Sequence, residues 1–520
     1  MVIMPRYAAI DIGSNSIRLM VADAAVSGNG RQPKLTTLLA DRSVIRLGSS
    51  VFQQGRLSHE AIDLACANLT RMAEAYRKLD VVGVRIVATA AVRDASNQHE
   101  FVERATAAAG TPVEIISGQE EARLIHAGVQ VRWPHPKQRV LIIDVGGGSA
   151  ETIISESGRL VSALSKPLGA VRLTEVLLKN DPPTEPELRR LFKYIDERLS
   201  GAVAKIDGEF DRVIATSATA AAIVCAINRV PRARREQADR LRATTPQVRK
   251  FFEELKTRNL AERRKHGGIG PRRAEIIVAG AAVFLRSLEL FHHSSMYYLG
   301  AGVRDGIIAD LAARGVGRNV THLSQEQKRV VEEMARRYGV GLKHARAVGS
   351  LAVDLFESLR PLHHLPASYG KLLEAAAYLH DVGHFISDTG HHKHSAYIVM
   401  NSDLPGFTDE ERQLLALLCR FHRKAMPAAR HSAYQSLGAD ARKSLSLMIP
   451  VLRIADNLDR GHQQRVESVD CQMKNGTIVV GIRAKGDVEL EQWAAERVGD
   501  IFRQAYNVPL VVTRAKGDAA

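Results

Sequence analysis

The segment Ala9-Ile10-Asp11-Ile12-Gly13-Ser14-Asn15-Ser16 returns later in the chain as Ile142-Ile143-Asp144-Val145-Gly146-Gly147-Gly148-Ser149, so one short design is written twice. In each copy an Ile- and Val-rich run reads as a buried strand. An Asp closes it, and Gly and Ser then open a tight turn into a second strand, Ile17 to Val21 or Glu151 to Ser155. Glycine lets backbone come close to an oxyanion, the exposed N–H groups and the hydroxyls of Ser14, Ser16 and Ser149 can donate to it, and the Asp can hold a hydrated divalent cation. One copy would mark a turn and little else. Two copies in matched contexts predict two hairpins that clamp a phosphate chain from both sides.

This arrangement resembles the superfamily of actin-like proteins, sugar kinases and heat-shock ATPases (ASKHA, ribonuclease-H-like lobes), in which each of two lobes supplies one phosphate hairpin. It implies an α/β fold. Helix signals at Ser58 to Lys78 and Glu100 to Ala109 alternate with strand signals at Arg85 to Ala88 and Val113 to Ile116, giving a first lobe over residues 1–127. Beyond the Pro-punctuated link Trp133-Pro134-His135-Pro136 the hairpin pattern restarts, and a second lobe covers 128–315, with a helix broken at Asp181-Pro182-Pro183, a strand at Arg212 to Thr216 and an apolar helix at Ile276 to Leu290. Long amphipathic helices with clustered histidines fill 316–465. A small α+β segment, 466–520, contains an Asn475-Gly476 hairpin, a helix from Val488 to Tyr506 and a strand from Leu510 to Thr513.

A chain of 520 residues is too long for a single core. It contains no apolar run of about 18 residues and starts directly in a strand, which predicts a soluble, cytoplasmic protein whose membrane association, if any, is peripheral. Cys66, Cys225, Cys419 and Cys471 lie far apart and read as reduced thiols without a disulfide. The net charge of +15 is concentrated between Arg229 and Arg273, where 15 Lys and Arg face 5 Asp and Glu. Such a stretch is either a solvated face or a guide for polyanions. With no helix-turn-helix, zinc finger or basic patch interleaved with aromatics beside it, no specific nucleic acid is expected.

Ser117-Gly118-Gln119-Glu120-Glu121 places two carboxylates in the first turn of a helix with Ser117 as its N-cap. The helix dipole alone accounts for acidic residues there. Beside two phosphate hairpins, though, no other carboxylate is as well placed to accept a proton from attacking water.

Together with Ala88-Thr89-Ala90-Ala91-Val92-Arg93 and Glu151, these motifs resemble the exopolyphosphatase and guanosine pentaphosphatase family. His392-Lys393-His394-Ser395-Ala396-Tyr397, Asn401 to Phe407 and Arg420 to Lys424 are similar to the helical domain of its long bacterial members, so the resemblance spans nearly the whole chain. It implies a metal-dependent phosphoanhydride hydrolase that removes terminal orthophosphate from inorganic polyphosphate or, alternatively, the 5′-phosphate of guanosine pentaphosphate, (p)ppGpp being a further ligand. A regulator that senses these anions without turnover is a third reading, which an intact Glu121 disfavours. By the same resemblance Glu121 is the base, Glu151 a second carboxylate that positions water or metal, and Arg93 a guanidinium facing phosphate. Asp11, Asp144 and Glu151 hold Mg2+ or Mn2+, and the protein is a homodimer. One departure stands out: a Gly-Thr-x-Gly-Thr element of related sequences reads Ala215-Thr216-Ser217-Ala218-Thr219 here. Loss of both glycines hinders close backbone approach, mildly disfavours a nucleotide and leaves the Thr216 and Ser217 hydroxyls as expected phosphate donors.

In the helical region His344, His380-Asp381 and Asp456 follow the ligand order of HD-type metal phosphohydrolases, which gives an HD-like domain and a candidate second divalent metal. His384, His391, His392, His394 and His422 could complete a further position. The competing reading has these histidines packing, capping helices or contacting polyphosphate, and on either reading the domain supports a principal site in the lobes.

Overall fold

The structure is a computed structural model that describes residues 4–25, 33–203, 208–317 and 320–514. The chain divides into two compact units, Met1–Ala313 and Arg314–Ala520.

The first unit is built on two sheets. One contains β1 (Arg6–Ile12), β2 (Ser16–Ala25), β3 (Lys34–Val44), β4 (Gly83–Ala88) and β5 (Val113–Ile115), in the order β3-β2-β1-β4-β5. The other contains β6 (Arg139–Val145), β7 (Ala150–Glu156), β8 (Arg159–Lys166), β9 (Arg212–Thr216), β10 (Arg242–Thr244) and β11 (Ser295–Tyr298), in the order β10-β11-β9-β6-β7-β8. Apart from β10, the two orders coincide strand for strand. β1–β2 and β2–β3 are antiparallel, as are β6–β7 and β7–β8; β1–β4 and β4–β5 are parallel, as are β6–β9 and β9–β11. The repeat written in eight residues is therefore a repeat of a whole actin-like sheet.

Strands buried on both faces read as continuous apolar runs. Ile10, Ile12, Leu141, Ile142 and Ile143 are buried in that way, each contributing about 1.5–3 kcal/mol of burial. Helix starts follow side-chain chemistry. The Ser58 hydroxyl accepts from Ala61 N to cap the helix His59–Arg77, and the Asp181-Pro182-Pro183 break separates the helices Ala170–Leu177 and Glu185–Val203. Among the described residues no helix is long and apolar enough to cross a membrane.

Two helices tie the sheets together. The helix Gly118–Arg132 packs on β7 and β8, burying Ala122, Ile125 and Val129 against Ile142 and Ile153, whereas the helix Val303–Ala313 packs on β1 and β2. They cross at glycines: a Cβ on Gly306 would lie 1.8 Å from the Leu124 carbonyl oxygen, and one on Gly128 2.5 Å from that of Gly302. The end of the segment expected to belong to the second lobe thus lies on the sheet of the first.

The second unit begins with the helices Gln325–Arg337, Leu342–Ser358, Ser368–Leu379, His391–Met400, Asp409–Phe421 and Ala439–Asn457. It ends in a sheet of β12 (Val466–Lys474), β13 (Thr477–Ala484) and β14 (Leu510–Arg514), with Asn475-Gly476 in the β12–β13 turn. The segment expected over Val488 to Tyr506 forms two helices, Glu489–Glu496 and Gly499–Tyr506, divided just before Gly499, a residue that disfavours helix interiors. Val480, Ile482 and Phe502 share one core with Leu351, Leu415 and Met448, so the terminal α+β segment packs together with the helices.

Candidate functional site

Both hairpin turns close with the same hydrogen bond, Gly13 N to Ser16 O at 3.1 Å and Gly146 N to Ser149 O at 3.0 Å. The turns meet. A Cβ on Gly147 would stand 3.0 Å from Ser14 Cβ and 3.4 Å from Asn15 N, and one on Gly148 only 2.6 Å from Ser14 Oγ. They border a cavity of about 90 Å³ lined by both loops, Ser14, Asn15 and Ser16 on one side and Gly146 to Ser149 on the other, with Asp11, Glu121, Asp144, Ser217, Arg18 and Arg273. A further pocket of about 310 Å³ shares Ala90, Gly148 and Ser149 with it and adds Arg93, Lys166 and Arg172.

Ser117 does cap the helix Gly118–Arg132, accepting from Glu120 N at 3.2 Å, but the two glutamates that follow part company. Glu120 turns into a buried network with Arg123 (2.7 Å), Arg85 (3.1 Å) and, through both arginines, Asp310. Burial would lift the Glu120 carboxyl, but the two guanidiniums outweigh it and hold it below the usual range. Glu121 points to the cavity. Its Oε2 is buried without a hydrogen-bond partner, 3.5 Å from Arg93 Nη1, while the same Nη1 donates to Ile116 O at 2.6 Å. Burial, then Glu151, raise the Glu121 carboxyl well above its ordinary value, against the opposing pull of Arg93.

Asp144 and Glu151 face each other across β6 and β7, as Asp11 and Arg18 do across β1 and β2. Glu151 is fully buried. Its Oε1 accepts from Ser165 Oγ at 2.8 Å and its Oε2 has no partner; burial and then Asp144 push its carboxyl up to about 7. Burial also raises Asp11, against the pull of Arg18 and Arg304, and Asp144, against the Thr216 hydroxyl. Four carboxyl groups that raise one another's proton affinity, two of them with orphaned buried oxygens, fit a hard divalent cation better than they fit any partner the chain supplies. Ser14 Oγ is likewise buried without a partner.

Of the two hydroxyls expected as phosphate donors, that of Thr216 is committed to Asp144, whereas that of Ser217 lines the cavity as an acceptor of two backbone N–H groups, with its own proton still able to donate. Thr216 Oγ1 donates to Asp144 Oδ2 at 2.5 Å, and Ser217 Oγ accepts from Thr219 N and Ala220 N at 3.2 and 3.4 Å, capping the helix Ser217–Ile227. Between the two alanines that stand where related sequences have glycine, Ser217 itself has φ +87°, which costs a serine about 1–3 kcal/mol. Ser16 Oγ accepts from Arg18 Nε at 3.2 Å.

A feature not anticipated from the sequence is a group of arginines at the cavity. Burial, followed by Arg18, Arg42 and Arg235, lowers Arg273 to about 9; burial, followed by Arg18, Arg235, Arg232 and Arg304, lowers Arg42 to about 10. Guanidiniums that lower one another's proton affinity concentrate positive charge there, an environment suited to anions. The basic stretch from Arg229 to Arg273 divides accordingly. Arg232, Arg235 and Arg273 join this group, whereas Arg263 is buried against Asp181 at 2.6 Å and Arg264 pairs with Glu275 at 3.0 Å.

In the second unit His344, His380 and Asp381 come together, and Asp456 Oδ1 lies 3.5 Å from His344 Nε2 and 3.4 Å from His380 Nε2. His391 and His422 form a second group with Asp381, approached by His384 Nε2 at 3.6 Å; among the described residues neither ligating group includes His392 or His394.

A model of the Ppx/GppA phosphatase family matches residues 24–314, and one of Ppx/GppA phosphatase, domain III, matches residues 327–488. A guanosine-5′-triphosphate,3′-diphosphate pyrophosphatase of Aeromonas hydrophila is 29% identical over 418 residues, 80% of this chain and 80% of that protein. The crystal structure of the Aquifex aeolicus Ppx/GppA family member is similar at a TM-score of 0.52 with 30% identity, covering 59% of this chain and 98% of its own. That of an exopolyphosphatase from Cytophaga hutchinsonii is similar at a TM-score of 0.54 with 25% identity, covering 59% and 97%.

Proposed function

Because the chain belongs to the Ppx/GppA phosphatase family, we propose that its cleft hydrolyses the terminal phosphoanhydride of a substrate carrying several phosphates, and that this substrate is a guanosine nucleotide with a 5′-triphosphate and a 3′-diphosphate. The carrying observation is that one cavity joins Asp11, Glu121 and Asp144 to the guanidiniums of Arg18 and Arg273. A substrate with two separate phosphate groups can place one at the carboxylates and the other among the arginines, which suits the name borne by the Aeromonas relative.

Asp11, Asp144 and Glu151 would hold a divalent cation, Mg2+ or Mn2+, which when bound offsets phosphate charge. Loop N–H groups and the free Ser14 hydroxyl bind the terminal phosphate. Arg93 holds Glu121 in place from one side and faces the neighbouring pocket from the other. Glu121 takes a proton from water as its oxygen attacks phosphorus in line, and the raised proton affinity of its carboxyl suits a base working near neutrality. The leaving group departs as the shortened phosphate, whose charge the arginines bind.

Inorganic polyphosphate is a second reading. It is favoured by the pocket lined with Arg93, Lys166 and Arg172, which continues the cavity beyond Gly148 and gives a linear chain somewhere to run. Phosphate release measured side by side on the guanosine nucleotide, long polyphosphate and ATP decides between them. Higher kcat/KM on the nucleotide supports the first reading, higher kcat/KM on polyphosphate replaces it with the second, and loss of all release in Glu121→Gln ties the activity to this cleft. We read the helical part of the second unit as an HD-like module that supports, and does not perform, this reaction.

A further inference from the structure

A cavity of about 560 Å³ lies at the far end of the helix Ser217–Ile227 and is larger than either cavity of the cleft. Ser217 and Ala218, which start this helix, line the cleft; Ala226 and Ile227, at its other end, line this second space. At a rise of about 1.5 Å per residue the two lie about 15 Å apart along the helix, so they are separate. The volume suits a small organic ligand.

One face of the helix Thr245–Thr257 forms part of the wall, because Gln247, Lys250, Phe251 and Glu254 follow one another at three- and four-residue spacing. The turn Arg229 to Pro231 and the segment His266 to Gly268 supply the rest. Arg229 stands at φ +56°, a left-handed position that a helix end ordinarily gives to glycine. Bonds from Arg229 N to Ala226 O at 3.3 Å and from Val230 N to Cys225 O at 2.9 Å hold it there. Gly268 is pressed onto the same helix end, where a Cβ would lie 2.5 Å from Ala226 N.

The lining divides by chemistry. Ile227, Val230 and Phe251 offer an apolar surface, with His266 set edge-on to the Phe251 ring at 5.8 Å, a place for a flat heterocycle. Arg229 and Lys250 are exposed cations, and neither makes an ion pair among the described residues. Glu254 has a loose, exposed pair with Arg258 at 3.8 Å, which leaves its carboxylate able to accept from an amino group. An apolar plate, two uncommitted cations and one acceptor match a base, its phosphate and an exocyclic amine.

We propose that this cavity is an effector site for a purine nucleoside monophosphate, with the ring on the apolar surface, its amino group donating to Glu254 and its phosphate on Arg229 and Lys250. Three stretches of chain run from it to the cleft. The helix Ser217–Ile227 is one. The second carries Arg229 to Pro231 at the cavity and then Arg232 and Arg235 into the arginine group; the third carries His266 to Gly268 here and Arg273 there. The last two are joined, Arg232 N donating to Gly267 O at 3.2 Å. A ligand that orders these stretches at one end acts on the arginines at the other. This coupling, unlike the binding, rests on the phosphatase reading of the cleft.

The test titrates the full chain calorimetrically with adenosine, guanosine and uridine 5′-monophosphates and with inorganic phosphate. Both purine monophosphates should bind wild type and the cleft variant Arg273→Gln alike, and should bind Arg229→Glu and Lys250→Glu at least about tenfold more weakly, since each replaces a charge-assisted hydrogen bond by a repulsion. Both substituted residues are exposed, and thermal melts verify that the variants are folded. Failure of the purines to bind wild type at millimolar concentration, binding that survives both charge reversals, or binding lost in Arg273→Gln would overturn the site. Uridine monophosphate or phosphate bound as tightly as the purines would overturn the ligand class. In turnover assays adenosine monophosphate should shift the KM of the cleft at least about fivefold in wild type and not in Lys250→Glu. A KM left unchanged would overturn the coupling, whereas failure of the phosphatase reading would show as absent turnover with purine binding intact.

Discussion

Arg18 and Glu151 occupy the same station in two copies of one hairpin, each directly across its strand pair from the loop aspartate, Arg18 opposite Asp11 and Glu151 opposite Asp144. The two copies match in backbone but not in charge. One lobe contributes a carboxylate where the other contributes a guanidinium, so the cavity has a cation-attracting side and an anion-attracting side.

Glu121→Gln should reduce turnover on any accepted substrate by about 10²–10⁴-fold, since an amide keeps the shape of the carboxylate but cannot take a proton. Substrate affinity, measured by equilibrium binding, should change little. Turnover within about threefold of wild type would remove Glu121 from the role of base.

The buried carboxyls predict an unusual pH response. Glu151 in the folded protein loses its proton at about 7, above the ordinary carboxylate value. Between those two values this carboxyl keeps its proton in the native state and loses it in the unfolded chain, so its own contribution to the stability of the metal-free protein falls as pH rises from about 4.5 to 7, against the opposite contribution of buried histidines such as His392 and His422. Thermal melts in chelator should show the wild type losing Tm relative to Glu151→Gln across this range, and added Mg2+ should restore it near neutrality. A Tm difference between the two that stays constant through this range would contradict the assignment.

Gly147→Val should separate the hairpins. Its first side-chain carbon already meets Ser14 Cβ at 3.0 Å, and a branched residue extends further; overpacking of this kind costs about 1–3 kcal/mol. Activity should fall at least about tenfold while the protein still folds cooperatively by circular dichroism. Kinetics equal to wild type would mean that the turns do not close on a phosphate.

Arg273→Gln should raise KM by about 10- to 100-fold with a smaller effect on kcat, because a charge-assisted hydrogen bond contributes about 1.5–3 kcal/mol. The dependence of KM on salt should weaken in parallel. Neutralising Arg263 and Arg264 tests a different property: both are committed to ion pairs within the lobe, so thermal stability should fall more than substrate affinity.

Local pattern made part of this legible. Both hairpins, the Ser117 cap and the strand Arg212–Thr216 follow from apolar runs, turn residues and capping chemistry that act over a few positions. The divergence of Glu120 and Glu121 was hidden, since neighbours on a helix point about 100° apart and only the packed partner, Arg123 or the cavity, decides which one is structural. The arginine group was hidden for a related reason: Arg18, Arg42, Arg235 and Arg273 come from separate segments that only the sheet topology brings together. Ser217 was hidden as well: nothing in the run Ala215 to Thr219 marks a left-handed residue, yet the structure holds this serine at φ +87°.

The crossing at Gly128 and Gly306 also sets an order of events during synthesis. The sheet that emerges first is covered at β1 and β2 by the helix Val303–Ala313, which emerges last in that unit. At synthesis rates of about 5–20 residues per second, the first sheet waits on the order of tens of seconds with an apolar face uncovered. Aggregation of the nascent chain, and any dependence on holding factors, should therefore concentrate in products truncated before residue 303.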